Sequence, residues 1–258
     1  MRIAFPRSFL TLTRSIENAR RIRHYSSQEL APAADEIPVS NTFDFDHPAP
    51  SIEGIRARLA ATPEMEERGA RRPSAISVLL NLLEQRDRRS AEHAFRVAEL
   101  ASTLGIRLGL APVTVARLRL AALLHDVGKL SVPDEVLDKP GPLTDDEWQR
   151  VRNHPEYAFQ MIASSVHPEV AETVLKHCER IDGKGYPHGD SGEEIPVASR
   201  ILLVADAYDA MLSPRPYRLP FTVEEALSNI ESGSGTQFDP EVVAALTGAA
   251  DDHGWAAA

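Results

Sequence analysis

The stretch that most constrains this chain is Leu123-Leu124-His125-Asp126-Val127-Gly128-Lys129. It closes an apolar run that begins near Val113, where Ala116, Leu118, Leu120, Ala121, Leu123 and Leu124 suit a buried helix. An imidazole and a carboxylate at the end of such a run must find partners or a metal. An unpartnered polar group in a core costs roughly 2–7 kcal/mol. A hydrogen-bonded core histidine beside a helix-end aspartate would satisfy the same pattern, so other residues must decide.

Three further histidines and a carboxylate bear on that choice. His93 lies in Ala91-Glu92-His93-Ala94-Phe95-Arg96-Val97-Ala98, and His154 precedes Pro155, a common helix-start signal. His177 sits in Leu175-Lys176-His177-Cys178-Glu179-Arg180, and Asp206 in Leu203-Val204-Ala205-Asp206-Ala207-Tyr208-Asp209-Ala210. Each segment has an apolar face at helical spacing. Helices of a bundle can aim such side chains into one interior site. Imidazoles and carboxylates together suit zinc, iron, manganese and similar ions. One histidine of this kind is usually structural; an ordered set is harder to dismiss.

The chain resembles the HD-GYP family, a branch of the HD metal-dependent phosphohydrolases. The matching pieces run in family order: His93 with Arg96-Val97-Ala98, then His125-Asp126-Val127-Gly128-Lys129, then Lys139-Pro140-Gly141-Pro142-Leu143-Thr144 and His154-Pro155. Glu179-Arg180-Ile181-Asp182-Gly183-Lys184-Gly185-Tyr186-Pro187 follows, then Val204-Ala205-Asp206, Arg215-Pro216-Tyr217-Arg218 and Phe238-Asp239-Pro240. The resemblance covers about residues 80–247. It implies an all-α HD-domain bundle with extra C-terminal helices, and a phosphodiesterase that hydrolyses cyclic di-GMP to pGpG, to GMP or to both.

Carried over by position, His93, His125, Asp126 and Asp206 match the family's first metal site. Asp126 would bridge to a second metal held by His154 and His177. Two divalent ions are implied, iron or manganese first, with zinc, nickel or cobalt also in range. Lys129 would hold the scissile phosphate, Arg215 and Arg218 the other phosphate, and Asp87 a guanine. The signature loop is Gly185, Tyr186 and Pro187, through which diguanylate cyclase domains are implied partners. Two departures stand out. Cys178 replaces the second of two adjacent histidines and is either a softer, anionic ligand or a small packing residue. Arg89 stands where three-metal members carry a glutamate. Two other readings stay open: a catalytically weak cyclic di-GMP receptor or interaction module disabled through Cys178, and a hydrolase of another nucleotide.

The remaining chain sets the organisation. Residues 1–50 read as a basic leader, with Arg2, Arg7, Arg14, Arg20, Arg21 and Arg23 against the lone acid Glu17, followed by a linker broken by Pro32, Pro38, Pro48 and Pro50. The leader also has the Arg-rich, acid-poor composition of an organellar transit peptide. The resembled family favours the bacterial cytoplasm instead. Residues 51–85 form a short helical segment, with helices over 51–61 and 74–85. Residues 86–248 form the catalytic domain, and 249–258 a frayed tail. Within the domain, periodicity predicts helices over 90–108, 112–124, 156–164, 168–178, 196–212, 222–232 and 240–247. Thr144 and Glu147 form a capping box for a helix with Trp148 and Val151 on its buried side. Asp206 and Asp209 share a helix side and repel unless a cation or proton intervenes.

Composition excludes some classes. The net charge of −10 argues against a nucleic-acid polymer as partner. The single cysteine rules out an internal disulfide framework. No uninterrupted apolar run approaches the length of a membrane span.

Overall fold

The computed structural model describes residues 75–86, 88–213 and 219–253. The basic leader, the linker, the helix expected at 51–61, Asp87, Arg215 and Arg218 lie outside the described residues. Ten α-helices are described: α1 (Ala75–Arg86), α2 (Arg88–Arg107), α3 (Pro112–Leu124), α4 (Asp134–Leu137), α5 (Asp145–Arg152), α6 (His154–Ile162), α7 (Pro168–Leu175), α8 (Val197–Leu212), α9 (Val223–Ser232) and α10 (Pro240–His253). Short 3-10 turns cover Val127–Ser131 and Gly192–Glu194. Among the described residues there is no strand, only two isolated bridges, Asp182 to Ser191 and Ser234 to Phe238. The expected all-α class holds.

The core follows from the apolar periodicity. On α2, Val97, Ala98, Ala101 and Leu104 form one stripe, each fully buried. That stripe packs against α3 and α8. Ile201, Leu202, Val204, Ala205 and Tyr208 give α8 apolar residues on several faces, so it takes the centre of the bundle. The α7 helix closes over α3, and α6 lies on both α7 and the 3-10 turn that follows α3.

Several boundaries differ from expectation for physical reasons. The C-terminal helix was expected to stop near residue 247 and the chain to fray from Ala249, yet α10 runs to His253. Ala249 and Ala250 are fully buried, and alanine is the best helix former. The helix expected over 168–178 stops at Leu175. The Val174 carbonyl accepts from His177 Nδ1 at 2.6 Å, and so takes a side-chain donor in place of the next helical amide. The capping box at Thr144 is formed in both directions, by bonds of 2.7 and 3.3 Å. However, Trp148 and Val151 are only half-buried, because α5 lies at the rim.

Gly128 is required by what packs against it rather than by its own backbone angles. Its backbone is not in the left-handed region. A Cβ there would lie 1.9 Å from the His154 carbonyl oxygen and 2.6 Å from the Ala158 amide. The start of α6 therefore rests directly on the backbone of this turn.

Candidate metal centre

The ends of three helices build the centre. His125 follows α3, His154 follows α5, and His177 follows α7 by one turn residue. In each case ring Nδ1 donates to the carbonyl three residues earlier: Ala122 at 2.7 Å, Val151 at 2.8 Å and Val174 at 2.6 Å. These carbonyls belong to last helical turns, where the backbone lacks a full set of partners. The bond fixes the tautomer and turns Nε2 inward as a lone pair. His125, His154 and His177 are all buried.

The lone pairs converge. His154 Nε2 and His177 Nε2 lie 3.2 Å apart, and His125 Nε2 is buried without a hydrogen-bond partner. Asp126 Oδ1 is 3.5 Å from His125 Nε2 and 3.7 Å from His154 Nε2, between the two halves of the site. Asp206 Oδ1 is 3.0 Å from His93 Nε2 and 3.9 Å from His125 Nε2. Two groups of potential donor atoms, each within 4.8 Å, result: His93 with His125 and Asp126, and His154 with His177 and Cys178. Facing imidazole lone pairs beside carboxylates are the donor set that a divalent ion fits.

His93 reaches the same interior from the middle of α2 by another route. Its Nδ1 donates to Asp209 Oδ2 at 2.6 Å, and its Nε2 faces Asp206. The repulsion expected between Asp206 and Asp209 is relieved because this ring lies between them. Asp209 is buried and also accepts from Arg96 at 2.6 and 3.0 Å and from the Ser213 hydroxyl at 3.2 Å. Asp209 thus orients His93, a role the sequence pattern did not assign to it. The i, i+3 spacing from Asp206 was the available signal.

Charge follows geometry. Burial, together with the His177 ring, pushes His154 down to about 3. Burial and the His125 ring push His177 down to about 4. Both rings are therefore neutral near pH 7. Burial opposes the charge on His93 too, but hydrogen bonds to Asp206 and Asp209 outweigh it and raise the group to about 9. Burial would raise Asp126, yet His125 and Lys129 hold it well below the usual carboxylate range. Lys129 Nζ donates to Asp126 Oδ2 at 2.6 Å. Burial pushes the Cys178 thiol up, and that thiol shares a hydrogen bond with the Tyr186 hydroxyl.

The Gly-Tyr-Pro loop is folded against this centre. A Cβ on Gly185 would lie 2.4 Å from the Arg180 amide, so only glycine fits. The Tyr186 amide donates to the Cys178 carbonyl at 3.2 Å, and the Tyr186 ring meets His154 edge-on with centroids 6.4 Å apart. The buried Glu179 carboxylate accepts from the His188 amide at 2.6 Å and the Gly189 amide at 3.1 Å. Glu179 therefore folds the loop, a structural role that its place in a motif could not reveal.

Fold and site together define an all-α protein with an interior histidine–aspartate centre. Residues 77–242 match the family model described as HD domain, and the chain belongs to the HD domain family. Its motif set is that of the HD-GYP branch. The chain is 43% identical over 174 residues to a cyclic di-GMP phosphodiesterase of Thermotoga maritima, an overlap of 66% of this chain and 47% of that protein. It is 40% identical over 158 residues to 3'3'-cGAMP-specific phosphodiesterase 3 of Vibrio cholerae, covering 61% of this chain and 34% of that protein. This chain thus spans half or less of the length of these relatives. A solved HDG"Y"P protein from Bdellovibrio bacteriovorus shares the fold, with a TM-score of 0.52 at 19% identity over 69% of this chain and 61% of that one. No helix among the described residues is long and apolar enough to cross a membrane.

Proposed function

We propose that this chain is a metal-dependent phosphodiesterase that hydrolyses cyclic di-GMP to pGpG, to GMP or to both. One observation carries the reading most: three helix ends each fix an imidazole by Nδ1 so that the Nε2 atoms share one interior, His177 facing His154, Asp126 beside His125 and His154, and Asp206 beside His125. His93, His125, Asp126 and Asp206 would hold one divalent ion; Asp126, His154, His177 and Cys178 would hold a second. Iron or manganese suits the imidazole and carboxylate donors, among which Cys178 supplies the one sulfur. When bound, such ions activate water at neutral pH and neutralise phosphoryl oxygens.

The chain's own residues do the rest. Lys129, which donates to Asp126, would hold the scissile phosphate. Arg215, Arg218 and Asp87 are assigned by the resemblance to the second phosphate and a guanine. The catalytic domain spans 86–248, the chain works in the cytoplasm, and diguanylate cyclase domains are partners through Gly185, Tyr186 and Pro187. A second reading, hydrolysis of 3'3'-cGAMP, is favoured by the likeness to 3'3'-cGAMP-specific phosphodiesterase 3 of Vibrio cholerae.

The test is metal content per chain in anaerobically purified protein, with turnover of both cyclic dinucleotides. Two metals and faster loss of cyclic di-GMP are expected; faster loss of 3'3'-cGAMP selects the second reading. Asp126→Ala should lose both metals and all turnover, since its carboxylate lies between the two donor groups. Two metals retained in that variant would sink the assignment. Metal binding without turnover of either nucleotide would leave a receptor rather than an enzyme.

A further inference from the structure

We propose that Arg86, outside the metal centre, is a positioning residue that holds Lys129 in its working orientation. Arg86 is the last residue of α1. Its guanidinium crosses to the segment after α3. Nη1 donates to the Lys129 carbonyl at 2.6 Å, and Nη2 donates to the Val132 carbonyl at 2.5 Å. Nε donates to Asp134 Oδ1 at 2.7 Å, and Nη2 pairs with the same carboxylate. One planar fork thereby grips the 3-10 turn Val127–Ser131 at Lys129, the chain just beyond it, and the start of α4.

The turn is held from both sides. Arg86 grips its carbonyls, while Gly128 lies flush against the start of α6. The Val132 amide also donates to the Lys129 carbonyl at 3.0 Å, closing the turn. Lys129 projects from this fixed backbone to Asp126. A lysine stem is flexible about four rotatable bonds, so a fixed root matters for where Nζ points. The Asp134 partner is 70% exposed, and an exposed pair of this kind contributes little. The two carbonyl contacts, not the ion pair, therefore carry the clamp. Lysine at position 86 would bring one point charge and no fork, and so would satisfy the acceptors only in part.

The inference rests on the reading that Lys129 acts on the scissile phosphate. The test uses the full chain and five variants: Arg86→Ala, Arg86→Lys, Asp134→Ala, Lys129→Ala, and Arg86→Ala with Lys129→Ala. Three quantities are read: hydrogen exchange at the Lys129 and Val132 amides, metal per chain, and kcat against KM. Arg86→Ala should speed exchange at both amides, leave metal per chain unchanged, and lower kcat by about ten- to hundred-fold with little change in KM, the scale of a misplacement near 1 Å. Arg86→Lys should recover part of both effects, and Asp134→Ala should match the wild type. In the Lys129→Ala background Arg86→Ala should cost nothing further, because the two act as a unit. Unchanged exchange in Arg86→Ala and Arg86→Lys would overturn the clamp whatever the activity. Fully additive losses in the double variant would overturn the positioning role. Full turnover in Lys129→Ala would remove the role of that lysine, and Arg86's effect on catalysis with it, while the exchange data would still report on the clamp.

Discussion

Cys178 is one of two residues, with Arg89, at which this chain departs from the pattern it resembles. Its sulfur lies within 4.8 Å of imidazole nitrogens of His154 and His177, in position to ligate with them. Burial nevertheless keeps it a thiol, hydrogen-bonded to Tyr186. A cation there must displace that proton, since the thiolate is the ligand. Cys178→His should raise metal per chain and turnover, and Cys178→Ala should lower both. Metal analysis and kinetics of the three proteins check this. Equal metal content in all three would make Cys178 a packing residue and no ligand.

At the scale of elements, helix ends carry the site. Ending α3, α5 and α7 where they do frees carbonyls that orient three imidazoles, and the 3-10 turn after α3 sets Asp126 and Lys129 beside them. The seat of α6 on that turn requires the missing side chain of Gly128. Gly128→Ala would drive a Cβ into the α6 backbone, which has no flexible atom to yield. Overpacking of this kind costs about 1–3 kcal/mol or more. The variant should melt earlier and bind metal more weakly at His154, while Gly109→Ala, with open space beside it but a positive φ, should lose stability without losing metal affinity. Thermal melts and metal titrations separate the two. Unaltered metal affinity in Gly128→Ala would mean that the α6 seat does not position His154.

At the scale of the whole molecule, buried titratable groups set how metal-free stability varies with pH. His154 and His177 titrate at about 3 and about 4 when folded, against an ordinary 6.5. Below about 6.5 the unfolded chain therefore binds more protons at these positions, and stability falls with falling pH. His93, raised to about 9, acts in the opposite sense: its contribution is whole below 6.5 and is lost as pH rises through 9. Glu179, raised to about 7 by burial, offsets one of the two depressed histidines between 4.5 and about 6.5 without reversing the sign, and adds to the loss just above it. The metal-free chain should thus be most stable at about pH 6.5. Melts of chelated protein across pH 4–9 check the shape. A steady rise in stability to pH 9 would show that His93 is not held protonated between Asp206 and Asp209.

The sequence by itself determined the helical class, the order of the motifs and the identities of the inward histidines. Those features are local: periodicity follows from residues three and four apart, and a motif is a run of neighbours. The capping box at Thr144 and the burial of His125 at the end of its apolar run belong to the same kind. Tertiary structure decided what depends on distant partners. Asp209 orients His93 across 116 residues, and Arg86 reaches the Lys129 carbonyl across 43. Gly128 is required by contact with α6 rather than by its own backbone angles. The end of α7 and the length of α10 turned on which carbonyl a side chain claimed and which alanines found a core. Such choices rest on the energy of contacts between elements, and no spacing along a single chain segment encodes them.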